Sequence, residues 1–139
     1  MLTKSAVIAE LDKQLLTKLT YLNTTLQQAI DSRNSDTKSS AGDKFETSRE
    51  MAQIEIHKIE TEILKTQQFI NDLLSKTTQL IITDKGIFLV AIPFGKLMLN
   101  DMTIFCISNS APITKDLINT KIATQFHYGK VEYKVLNIS

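Results

Sequence analysis

A single cysteine, Cys106, stands in 139 residues. One thiol forms no disulfide within the chain and no cysteine-rich zinc site. It lies in the apolar run MTIFCIS, which reads as a strand, so a buried core thiol is expected. A nucleophile needs a base close by, and the two histidines, His57 and His127, belong to unrelated segments. Charge of one sign is lacking too: 16 Lys and Arg against 15 Asp and Glu leave a net +1. No global field draws the chain to nucleic acid or to an anionic membrane, so any such contact is local or comes through a partner. The longest apolar run, GIFLVAIPFG, is too short to span a bilayer. The N-terminus MLTKSAVIAELDK meets acids too early for a signal peptide. These features predict a cytoplasmic protein of one or two small domains, without a membrane partner.

Proline and glycine number only two and four, and none interrupts the first long segment. There Ile8, Leu11, Leu15, Leu19, Leu22, Leu26 and Ala29 recur in steps of three or four, one face of a long helix close to a heptad seam. The pattern stops at DSRNSDTKSSAGD, a polar stretch that reads as a loop or frayed helix end. It resumes at Phe45, Ala52, Ile56, Ile59, Ile63, Ile70 and Leu73, predicting a second helix over 44–76, about 50 Å long. Two narrow stripes joined by a polar link predict an antiparallel hairpin in which each helix buries the other's apolar face. The link then becomes the tip of a rod.

From Gln79 the texture changes. QLIIT, GIFLVAI, KLML, TIFCIS and KVEYKVLNI are β-rich runs bounded by the turn signals TDKG, PFG, LND and HYG. Pro112, in SAPITKDLINTK, suits the first turn of a short helix over 113–118. The expected class is α+β: a helical hairpin over 1–78 with an acidic tip near 42–46, then a small antiparallel sheet domain with one short helix over 79–139. No internal repeat is visible.

At the predicted tip, Asp43 and Glu46 stand three residues apart in SSAGDKFETSRE. The spacing is that of a capping box, with Asp43 accepting a backbone N–H at the helix start and both charges matching the helix dipole. An exposed acid pair also suits magnesium, which takes one or two carboxylates and leaves its other positions to phosphates and water. Such a pair completes a site whose other ligands belong to a partner, as in two-metal phosphoryl transfer. The two roles are compatible, since capping uses one carboxylate oxygen. Arg33, Lys38, Lys44 and Arg49 surround the tip. They are candidates for phosphate contact and, more simply, solvated partners of Asp31, Asp36, Asp43 and Glu50.

These residues resemble the bacterial Gre transcript-cleavage factors. Gly42, Asp43, Lys44, Phe45 and Glu46 meet that family's coiled-coil-tip motif Gly-Asp-Leu-x-Glu-Asn. CISNSAPITKDLINTK resembles its Ile-Ser-x-x-Ser-Pro stretch, and GKVEYKVLNI its final strand. The likeness covers most of the chain in the same order. It implies an N-terminal coiled coil and a C-terminal FKBP-like domain. It also implies a partner, bacterial RNA polymerase, whose secondary channel the coiled coil enters. Asp43 and Glu46 then help place a magnesium ion shared with the polymerase, which itself cleaves backtracked RNA. The RNA 3′ end is met only indirectly, no cofactor is bound by the chain alone, there is no small-molecule substrate, and the chain is not itself an enzyme. Pro112, Ile113, Leu117 and Ile118 match a segment of the docking domain. After Glu46 the chain departs from the family, reading Thr47-Ser48-Arg49-Glu50 where the family has Asn-Ala-Glu-Tyr. Two other readings stand beside this one. The first is an interaction module or channel-blocking regulator whose tip acids only cap a helix. The second is a prolyl isomerase, which needs an aromatic-lined pocket from a half that has no tryptophan.

Overall fold

Thr3 starts the first helix: its hydroxyl accepts the Ala6 N–H at 3.1 Å and its carbonyl the Val7 N–H at 3.2 Å. The structure is a computed structural model describing residues 2–35 and 42–139; for Ser35 and residues 42–46 it describes the backbone alone. Helix α1 (Lys4–Ser35) and helix α2 (Gly42–Leu73) each have 32 residues. They pack together as a hairpin. Lys18 Nζ lies 3.6 Å from Glu62 Oε2, and Arg33 Nη1 donates to Gln53 Oε1 at 2.9 Å. Numbers rise along α1 as they fall along α2, so the pair is antiparallel.

The predicted stripes are the buried faces. Leu11, Leu15 and Leu22 on α1 and Ile56, Ile59 and Leu73 on α2 are buried, with Leu19, Leu26, Ala52 and Ile63 half-buried beside them. The seven-residue gap between Ile63 and Ile70 is filled by Thr66, which is 2% exposed. Its hydroxyl donates to the Glu62 carbonyl at 2.8 Å, which satisfies the polar group within its own helix. By contacts the chain separates into two compact units, residues 14–69 and residues 1–13 with 70–139. Each long helix thus contributes to both. In the second unit Lys4 Nζ donates to the Thr78 carbonyl at 3.3 Å, and the buried Thr78 hydroxyl donates to the Leu73 carbonyl at 3.0 Å. This bond satisfies one of the carbonyls left open at the end of α2.

Six strands follow: β1 (Gln79–Thr83), β2 (Ile87–Ala91), β3 (Gly95–Leu99), β4 (Met102–Ser108), β5 (Gln125–Tyr128) and β6 (Val131–Ile138), with helix α3 (Thr114–Ile118) before β5. Their order in the sheet is β3-β4-β2-β1-β6-β5. The chain is therefore α+β, as its patterning predicts. The sheet is mixed, however, and not antiparallel throughout: β2 and β4 run parallel, from Ile87 opposite Ile104 to Ala91 opposite Ser108. The cause is the Ile92–Phe94 link. It carries the chain past one strand position, a span of about 9.6 Å, and β4 then folds back into the gap between β2 and β3. Around Pro93 the Phe94 N–H bonds the Ile92 carbonyl at 2.9 Å, a three-residue turn that proline's fixed φ favours. β4 returns from β3 through Asn100 and Asp101, both at positive φ (51° and 63°) as a two-residue hairpin turn requires.

β5 is a strand that the sequence reading treats only as the turn signal HYG. Phe126 pairs with Tyr133 across it, their rings stacked at 5.0 Å. The short helix begins at Thr114, one residue later than predicted, with Ile113 as its N-cap. The Thr114 N–H bonds the Ala111 carbonyl at 3.0 Å, so Pro112 occupies the second position of the preceding turn, where its φ is equally suited. One sheet face is closed by Leu117, packed in a cluster with Ile81, Phe88, Val90 and Val135. Leu80, Leu89, Ile104 and Cys106 are buried on the other, which is why β1 and β2 read as continuous apolar runs.

Asp84 ties the β1–β2 turn to β6: its carboxylate accepts the Lys134 N–H at 2.8 Å and its own N–H donates to the Lys134 carbonyl at 3.0 Å. The first of these bonds holds the Asp84 carboxyl below its usual 3.8. Two outcomes follow. Leu117→Ala, which empties a fully buried site, lowers unfolding free energy by about 2–5 kcal/mol in denaturant titration. Asp84→Ala lowers the melting temperature at neutral pH. A carboxyl depressed on folding contributes stability above its unfolded pKa and loses it as pH falls through the folded one, so the gap to the parent closes below pH 3.8.

Candidate functional site

α1 is described to Ser35 and α2 from Gly42. Asp43 and Glu46 fall within the opening of α2, three residues apart, positions a helix places on one face. The helix begins before Asp43, so Asp43 is a helical residue and not the cap that a capping box requires. Four N–H groups at a helix start lack intrahelical partners, and the dipole there favours negative charge. That accounts for acids at these positions whatever else they do. Lys38 lies outside the described residues, as do the side chains of Asp43, Lys44 and Glu46.

Of the basic residues, Arg33 and Arg49 are described. Arg33 Nη1 donates across the two helices to the Gln53 amide oxygen, and among the described residues its Nε is buried without a partner. Asp36 and the Asp43 side chain, two of its expected acidic partners, lie outside the described residues. Arg49 and Glu50 are exposed. Beyond them an open, mostly apolar groove on α2 is lined by Glu50, Gln53, Ile54, His57 and Lys58. Ile54 is 58% and Met51 66% exposed, a second apolar line on α2 that the stripe reading passes over. Its signal was the recurrence of Ile54 between charged residues at helical spacing, off the buried face.

In the sheet unit the four residues of the docking-domain segment separate. Leu117 is in the core and Ile113 is packed against it, whereas Pro112 and Ile118 are exposed. Further exposed apolar side chains come later, at Ile122, Tyr128, Val131 and Leu136. Leu136 is displaced outward where the β1–β6 register shifts, Thr83 pairing with Val135 and Ile82 with Asn137. Phe88, Phe105, Phe126 and Tyr133 pack on one another within the core cluster. The pocket beside Phe126 is otherwise lined by polar side chains such as Lys115, Asp116 and Asn119, which is unlike the aromatic pocket an isomerase needs.

Cys106 is 2% exposed, and burial pushes its thiol up to about 12. A nucleophile needs the opposite shift, so Cys106 is a core residue. His127 stands 3.9 Å from Glu132 across the exposed β5–β6 hairpin. Among the described residues no group of three His, Cys, Asp or Glu side chains is placed to hold a metal ion, and no helix is long and apolar enough to cross a membrane. The protein's single thiol is expected to resist an aromatic disulfide reagent at pH 8 in buffer and to react stoichiometrically in denaturant, read by absorbance. No family model, curated protein or solved structure matches the chain.

Proposed function

We propose that this protein is a Gre-like elongation factor, which binds bacterial RNA polymerase, inserts its helical hairpin into the secondary channel and stimulates cleavage of backtracked RNA. The observation that carries the reading is one combination: a hairpin of two 32-residue helices, an acid pair three residues apart at the opening of the second, and a sheet domain after it. The sheet domain, FKBP-like in this reading, docks on the polymerase with the exposed Pro112 and Ile118 near the contact. Asp43 and Glu46 supply carboxylate ligands to a magnesium ion whose remaining ligands belong to the polymerase, and that ion activates water or stabilises the leaving oxygen. Arg33, Lys38, Lys44 and Arg49 provide positive charge for the RNA phosphates. The chemistry is the polymerase's own, and the protein acts where the polymerase does, in the cytoplasm.

The acids suit this task for a reason independent of the resemblance. A helix opening stabilises carboxylates in the ionised form, the form a magnesium ion binds. The test is cleavage in stalled, backtracked transcription complexes. Wild-type protein is expected to accelerate RNA cleavage, and Asp43→Asn with Glu46→Gln to reduce that acceleration by about tenfold or more while polymerase binding persists. Binding without any added cleavage by the wild-type protein transfers the reading to a channel-blocking regulator. Failure to bind polymerase removes both and leaves a plain interaction module.

A further inference from the structure

The face of α2 turned away from α1 carries a charge pattern that inverts about one residue. Along it stand Thr47, Glu50, Ile54, Lys58 and Thr61, in steps of three, four, four and three. All five are exposed, and all lie opposite the stripe of Ala52, Ile56, Ile59 and Ile63 that faces α1. Reading outward from Ile54, an acid four residues before it answers a base four residues after it. A threonine stands seven residues away on each side. Among the described residues neither Glu50 nor Lys58 makes an ion pair. Between them Ile54 is 58% exposed in the groove that both residues line, with Met51 and His57 as its flanks.

We propose that two copies of this protein pair through this face, α2 against α2, antiparallel, with a two-fold axis at Ile54. A two-fold contact is self-complementary: each residue on one side of the axis meets its counterpart from the other side. Here Ile54 meets Ile54 of the second copy, Glu50 meets Lys58 and Lys58 meets Glu50. Met51 comes level with His57, and Thr47 with Thr61. Antiparallel helices pack 8–10 Å apart, a distance these side chains span, and their dipoles then oppose favourably. The occupant is a second copy rather than another helix because the pattern complements itself under that one operation. The apolar part of the contact is small, Ile54 with Met51 at its edge, so the dimer is weak and salt-sensitive.

Self-association of this kind runs along α2 to its opening, since the register brings position 43 level with Lys65 of the second copy. Only this consequence rests on the polymerase reading: a paired hairpin withholds its turn from the channel, so that dimer and insertion exclude each other. The dimer itself is tested without polymerase, and either idea fails alone.

The experiment uses the full chain. Ile54→Cys places a thiol on the axis, and the native Cys106 is buried and silent. A short bis-maleimide is expected to give covalent dimer with Ile54→Cys and none with Thr61→Cys, whereas Thr47→Cys mixed with Thr61→Cys cross-links again. In sedimentation equilibrium Lys58→Glu turns two attractive pairs into repulsive ones and weakens association by roughly tenfold or more. Adding Glu50→Lys to it exchanges the charges and restores the dimer, with helix content by circular dichroism unchanged throughout. A parent that stays monomeric while Ile54→Cys fails to cross-link overturns the proposal. So does a dimer that the double exchange does not restore, or one in which Thr61→Cys cross-links as well as Ile54→Cys.

Discussion

Over residues 14–69 neither long helix of this protein has anywhere to put its apolar stripe except against the other. Each stripe is a single line, mostly Leu or Ile, at three- and four-residue steps, too narrow for a helix surrounded by core and too continuous for one left in water. The hairpin follows from that constraint, and so does the rest of the α-helical part. With Ile56 and Ile59 turned toward α1, the opposite side of α2 must carry Glu50, Ile54 and Lys58 to solvent. The single polar residue in the stripe, Thr66, is tolerated because its hydroxyl reaches back to the Glu62 carbonyl and needs no partner across the interface.

The sheet is ordered by a different requirement. β1 and β2 are apolar on both faces and so need cover on both, and they occupy central positions with β4 and β6 as neighbours. α3 closes one face through Leu117, while β3 and β5 form the edges. Turn chemistry then decides how the strands connect. Asn100 and Asp101 accept positive φ, and Gly129 does so at 63° between β5 and β6. At Gly129 any side chain would be strained, although nothing crowds the position. Asp84 holds the remaining hairpin to β6 through the Lys134 backbone, a bond whose strength depends on the carboxylate's charge.

The functional reading joins these two parts through one local property. The opening of a helix holds unpaired N–H groups and a positive dipole, so acids placed there are ionised and stabilised before any partner arrives. In the proposed function, the metal-assisting role of Asp43 and Glu46 draws on the same electrostatics as a helix start. Arg33, near the end of α1, donates to the neutral Gln53 amide. The outer face of α2 adds a second use of the same helix, in which its charges address another copy of the chain rather than a nucleic acid or an ion.

Much of this was legible from residue order alone. The helix periods, the α+β division, five of the six strands and the core position of Cys106 all depend on local pattern, and local pattern is what burial of one face imposes on a sequence. The acid pair is a sequence expectation whose side chains lie outside the described residues. Strand β5 was not legible, because QFHY is four residues long and owes its place to Phe126 stacking on Tyr133, a partner found only once β6 has paired. The parallel β2–β4 pair was hidden likewise, since a three-residue link permits either neighbour and the choice lies with which strands can be buried together. The bond from Arg33 to Gln53, 20 residues away, was hidden as well, because it exists only when α1 and α2 lie side by side. Sequence by itself determined which faces had to be buried. The tertiary structure alone decided which strands became neighbours and which side of α2 was left outward, because both depend on contacts between segments far apart in the chain.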